Sequence, residues 1–107
     1  MKMNDYQEAA IDFALPTAQN ISYLALGLSG EAGEVAEKIK KVLRDNNGIV
    51  TPEKRKEITK ELGDVMWYVS NLANHLGVPL SLVAQTNIDK LESRRDRGKL
   101  QGSGDNR

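Results

Sequence analysis

The sequence predicts an all-α domain, on three observations. Apolar residues recur at helical spacing, Pro and Gly punctuation cuts the 107 residues into four segments, and no alternating β pattern appears before Gly98. The first segment opens at Asn4, where Gln7 three residues later resembles a capping box, and stops before Leu15-Pro16 because a residue ahead of proline is pushed out of helical geometry. The second runs from about Thr17 to Arg44 and ends in the turn Asp45-Asn46-Asn47-Gly48. Thr51-Pro52 reads as N-cap and first position of the third, which continues to His75-Leu76-Gly77 with the glycine as its stop. Val78-Pro79 starts the fourth, which lasts to about Arg97-Gly98. The expected organisation is a four-helix-bundle-like single domain with short connections over residues 1–97, followed by a flexible polar tail over 98–107.

Composition narrows the function classes. Fifteen basic side chains balance fifteen acidic ones, which argues against a protein held to nucleic acid or an anionic membrane by bulk charge. Without Cys there is no disulfide, thiolate zinc site or cysteine nucleophile, and the lone His75 rules out a multi-histidine metal site within one chain. Asp5, Glu8 and Asp12 interrupt the N-terminus where a signal peptide needs an apolar stretch, so a cytoplasmic location is the expectation. So short a chain leaves much apolar surface wet if it folds alone, and completion of the core by oligomerisation is expected. Charge falls in blocks, acidic over residues 1–37 and basic over 38–60, a pattern that solvated helix faces also produce.

Gly27, Gly30, Gly33 and Gly63 lie where helix interiors are expected, and each costs about 1 kcal/mol relative to Ala. Three compensations fit: close approach of a neighbouring helix, a break near Leu28-Ser29-Gly30, or backbone room for a ligand. The run Gly27 to Gly33 is no dinucleotide fingerprint, since no strand precedes it.

The acids are the informative residues. At 100° per residue, Leu24, Leu28, Val35, Ile39 and Val42 share one face of the second segment, with Glu31 in its middle and Glu34 at its margin. The third segment repeats the arrangement: Ile58, Leu62, Val65, Tyr68, Leu72 and Leu76 form the stripe, Glu61 falls inside it and Asp64 at its edge. Unpaired carboxylates in an apolar interior are costly, so these four need either cations or basic side chains. An oxygen-only set without Cys suits Mg²⁺ or Mn²⁺ rather than Zn²⁺ or Cu²⁺. The Glu-x-x-His motif of di-iron bundles is missing. Because Mg²⁺ usually binds alongside substrate phosphates, the site implies a polyphosphate ligand.

On the fourth segment Leu80, Val83, Ala84 and Leu91 make the apolar face, with Asn87 within it and Lys90 and Arg94 beside it. An amide and two cations facing the acids would suit a magnesium-bound triphosphate; alternatively the two cations pair with Glu31 or Glu61, or reach solvent. Glu37 points away and pairs with Lys40 or Lys41. Tyr68, Asn71 and His75 continue the Asp64 edge towards a possible nucleoside pocket, and Trp67 either stacks on a base or is buried in the core or an interface.

Glu31-Ala32-Gly33-Glu34 followed by Glu61-Leu62-Gly63-Asp64 resembles the E-x-x-E…E-x-x-D signature of the MazG-like all-α nucleoside triphosphate pyrophosphohydrolases, and the likeness extends from about Ser22 to Gly98. The resemblance implies conversion of a (deoxy)nucleoside triphosphate to monophosphate and pyrophosphate, deoxypyrimidine nucleotides being among the candidates. It implies Glu31, Glu34, Glu61 and Asp64 as magnesium ligands, one glutamate also serving the attacking water, and Asn87 and Lys90 as substrate contacts, with Arg94 and Arg95 as further carry-overs. It also implies a homodimer or homotetramer. Two other readings remain: a phosphoribosyl-ATP pyrophosphohydrolase, and a non-catalytic helical module that uses the acids for metal-dependent dimerisation.

Overall fold

A computed structural model describes residues 1–107 as four α-helices and one short 3₁₀ turn, without strands. Helix α1 spans Met3–Ile11, the 3₁₀ turn Pro16–Ala18, α2 Ile21–Asn46, α3 Pro52–His75 and α4 Leu80–Asp96. The all-α class is therefore as the sequence predicts. No helix is long and apolar enough to cross a membrane.

Helix α2 starts later than the sequence suggests. Pro16 turns the chain once as 3₁₀, and Asn20 then caps α2, its Oδ1 accepting from the amides of Ser22 at 2.9 Å and Tyr23 at 3.1 Å. The helix is unbroken through Gly27, Gly30 and Gly33 and ends where Asn47 takes left-handed geometry at φ 54°. Thr51 caps α3 as its sequence position predicts, Oγ1 accepting from the Lys54 amide at 3.2 Å.

Helices α2 and α3 form an antiparallel hairpin, and α1 and α4 pack against α3 and against each other. Helix α4 makes no contact with α2. Its position follows from its start: Pro79 has no side-chain acceptor for the first amides of α4, and α1 supplies two. Gln7 Oε1 accepts from the Leu80 amide and Asn4 Oδ1 from the Ser81 amide, both at 2.9 Å. Gln7 Nε2 donates to the carbonyls of Val78 at 3.0 Å and Ser70 at 3.4 Å, so one buried amide ties α1 to α3 and α4. The expected Asn4–Gln7 capping box is thus replaced; Asp5 caps α1 instead, its Oδ2 accepting from the Lys2 amide at 3.1 Å.

The tail is likewise not free. Arg107 donates to the carbonyls of Lys99, Leu100 and Gly104 at 2.8–3.1 Å, and Arg94 Nη2 donates to the Asp105 carbonyl at 2.6 Å. These bonds fold residues 98–107 back on themselves and onto α4.

The chain is open for its size. Its radius of gyration is 16.5 Å, against about 13 Å for a compact chain of this length. Only 10 residues are buried, while Leu26, Leu43, Leu62 and Met66 on the hairpin are all about half exposed or more.

Candidate active site

The α2–α3 seam descends in helical steps. Leu24 and Asn71 share a cavity wall, Gly27 receives the ring of Tyr68, and Glu31 meets Asp64, the numbers rising on one helix as they fall on the other. A Cβ on Gly27 would run into the Tyr68 ring, so close approach explains this glycine. Added Cβ atoms on Gly30, Gly33 and Gly63 would meet nothing within 4 Å, so packing inside the chain accounts for none of these three.

Glu31, Glu61 and Asp64 each bring a carboxylate oxygen to within 4.8 Å of the others. Glu31 and Glu61 are half-buried and Asp64 is exposed. Burial, and then the charges of Asp64, Glu61 and Glu34, push the Glu31 carboxyl above its ordinary range. Glu34 is exposed and stands outside the triad, though close enough for Glu31 to feel it. The only cation within ion-pair distance is Lys38, whose Nζ lies 3.9 Å from Glu61 Oε1. Sequence reasoning passed over Lys38 although it sits seven residues after Glu31, on the same helical face.

One lysine among four acids leaves the group short of positive charge. An all-oxygen donor set with that deficit fits a hard divalent cation, with Glu31, Glu61 and Asp64 as its holders.

Two phenols border the acids. The Tyr6 phenol is pushed up by burial and then by Asp64. Tyr68 is pushed up by burial, then by its neighbour Tyr23, then by Glu31 and Asp64. Trp67 belongs to the packing: Nε1 donates to the Ala10 carbonyl at 3.2 Å, and its ring stands edge-on to Tyr68 at 5.0 Å. Asn71 and His75 lie together in a second cavity at the other end of the seam.

Helix α4 does not bring its polar residues onto the acids as the apolar pattern suggested. Asn87 is exposed and lines a largely apolar cavity of about 600 Å³ that it shares with Tyr6. Lys90 is exposed and pairs with neither Glu31 nor Glu61. Arg94 is buried, its guanidinium committed to Asp105, which corrects the expectation that it faces the acids. The cause is the docking of α4 on α1 and α3 by Asn4 and Gln7, which leaves α2 out of its reach.

Residues 19–98 match the MazG nucleotide pyrophosphohydrolase domain. The chain belongs to this family. It is also similar to the protein called Gene 37 protein of Mycobacterium phage L5, with 53% identity over 114 aligned positions that cover both chains in full. No solved structure matches it. The MazG match includes all four acids, the Tyr68–Asn71–His75 edge, and Asn87, Lys90 and Arg94; α1 and most of the tail lie outside it. Membership supports nucleotide pyrophosphohydrolase activity as the general function of the domain.

Proposed function

We propose that this MazG chain is a magnesium-dependent pyrophosphohydrolase that converts a (deoxy)nucleoside triphosphate and water into the monophosphate and pyrophosphate, in nucleotide-pool control or house-cleaning. The observation that carries the reading is the triad Glu31, Glu61 and Asp64, drawn within 4.8 Å with Lys38 as its one counter-ion. Repulsion within the triad would be relieved by a hard divalent cation, which Glu31, Glu61 and Asp64 would hold and which would in turn favour a polyphosphate substrate.

The residues divide the work. Glu31, Glu61 and Asp64 hold the cation, and Glu34, outside the triad but within its field, orients the attacking water. When bound, magnesium supplies charge neutralisation on the phosphate oxygens and on the departing pyrophosphate. Water attacks the α-phosphorus, the bond from it to the bridging oxygen breaks, and pyrophosphate leaves with that oxygen. Asn87, on the Tyr6 side, and Lys90, one turn further along α4, are the substrate contacts that the family resemblance implies. Arg94 drops out of this set because it is spent on the tail.

The same reading includes a homo-oligomer in the cytoplasm, where the nucleotide pool is. The chain exposes 7869 Å², against about 5900 Å² expected of a compact monomer of its mass, and the excess of roughly 2000 Å² is on the scale of an obligate interface.

The test is a panel of ribo- and deoxyribonucleoside triphosphates with separate detection of pyrophosphate and orthophosphate. The expected result is pyrophosphate and monophosphate in equal amounts, only with magnesium or manganese present. Diphosphate plus orthophosphate would contradict attack at the α-phosphorus, and no turnover of any member would remove the enzymatic reading in favour of a non-catalytic module.

A further inference from the structure

Seven residues beyond Asp64, about 10 Å by helical rise, Asn71 returns to the same face of α3. It is 4% exposed. Its Nδ2 donates to the Trp67 carbonyl at 3.0 Å, and because a carbonyl only accepts, that bond fixes which way the amide points. The remaining polar atom, Oδ1, accepts no hydrogen bond within the chain, and the residue lines a cavity of about 320 Å³. Leu24 and Ile11 supply apolar surface there, and Gln19, Asn74 and His75 supply planar polar groups. Between this cavity and the carboxylates lies the step where Tyr68 rests on Gly27.

We propose that this cavity is the nucleobase subsite and that Asn71 Oδ1 reads an N–H donor on the edge of the base, with Gln19, Asn74 and His75 completing the contact. The inference rests on the pyrophosphohydrolase reading and extends it along the seam. Phosphates lie on the triad, the sugar crosses Tyr68 and Gly27, and the base enters the amide-lined end. Oδ1 faces solvent in the free protein, so a base that covers it without offering a donor leaves it desolvated and unpaired, and the correct base is discriminated by that difference.

His75 is the only histidine, so its imidazole Hε1 signal in a proton NMR spectrum is a unique reporter at the cavity. The full-length protein is titrated with the common nucleoside monophosphates and, separately, with ribose 5-phosphate. The expected result is a saturable shift with at least one monophosphate and none with ribose 5-phosphate. Asn71→Leu should weaken that binding at least about tenfold and flatten the kcat/KM ratio between the best and worst triphosphates. If Asn71→Leu does not fold, Asn74→Leu at the exposed rim gives the same two readouts, with a smaller weakening expected. Triphosphate hydrolysis with no His75 shift, an equal shift with ribose 5-phosphate, or base ratios unchanged in the variants would overturn the subsite and leave the enzymatic reading standing. A base-dependent shift without hydrolysis would overturn the enzymatic reading and keep the cavity as a base-binding site.

Discussion

Gln7 and Glu31 are both polar residues set into packed helix surfaces, and the molecule treats them in opposite ways. Gln7 is buried where α1, α3 and α4 meet, and every polar atom of its amide finds a backbone partner. Glu31 is surrounded by Asp64, Glu61 and Glu34, and the nearest cation is spent on Glu61. The first region is satisfied and holds the fold; the second is frustrated, and it is there that the proposed function puts its ligand.

The difference is broken most severely by Glu61→Gln. Pyrophosphate release should fall about 10³-fold, the scale expected when a charge-stabilising group leaves a preorganised site, while the helical circular dichroism signal is retained. Gln7→Leu should do the reverse. With the Val78 carbonyl and the Leu80 amide left without partners, and the Ser70 carbonyl reduced to its own helical bond, stability should drop by about 3 kcal/mol in urea unfolding, and the folded fraction should keep its pyrophosphate release. Gly27→Ala touches both regions, since the new methyl must displace the Tyr68 ring; we expect a loss of about 2 kcal/mol together with a raised KM.

Glu31→Gln gives the smallest effect and the most particular sign. Because burial and then its acidic neighbours raise the folded-state pKa, the wild-type charge destabilises the fold above that pKa and costs nothing below the ordinary carboxyl range. Removing the charge should therefore raise the metal-free unfolding midpoint at neutral pH by a few degrees, and the gain should disappear as the pH falls through that range. An equal gain at all pH values would show that removal of the charge is not its source.

Local pattern explains what was legible in the sequence. The Thr51 cap, the four helical segments and the two acid pairs depend on spacings of three and four residues, which periodicity reads directly. Asn4 and Gln7 misled because a short polar pair at that spacing fits a capping box as well as it fits its real partners, more than sixty positions away in the chain. The same long-range bonds set where α4 docks, so the orientation of Asn87 and Lys90 was beyond any helical wheel. Arg94 looked like a phosphate ligand because nothing in its own helix announces a carbonyl at Asp105. Lys38 was readable, lying in phase with Glu31, but was hidden among the run of lysines that follows it.

The central claim is that the carboxylate triad is a cation site the fold leaves under-neutralised. Its most direct test is the thermal unfolding midpoint of the nucleotide-free protein followed against magnesium concentration, for wild type and Glu61→Gln. A saturable rise in the wild type that is lost in the variant is the predicted result. A wild-type midpoint that does not move with magnesium, or one that moves equally in both proteins, would contradict it.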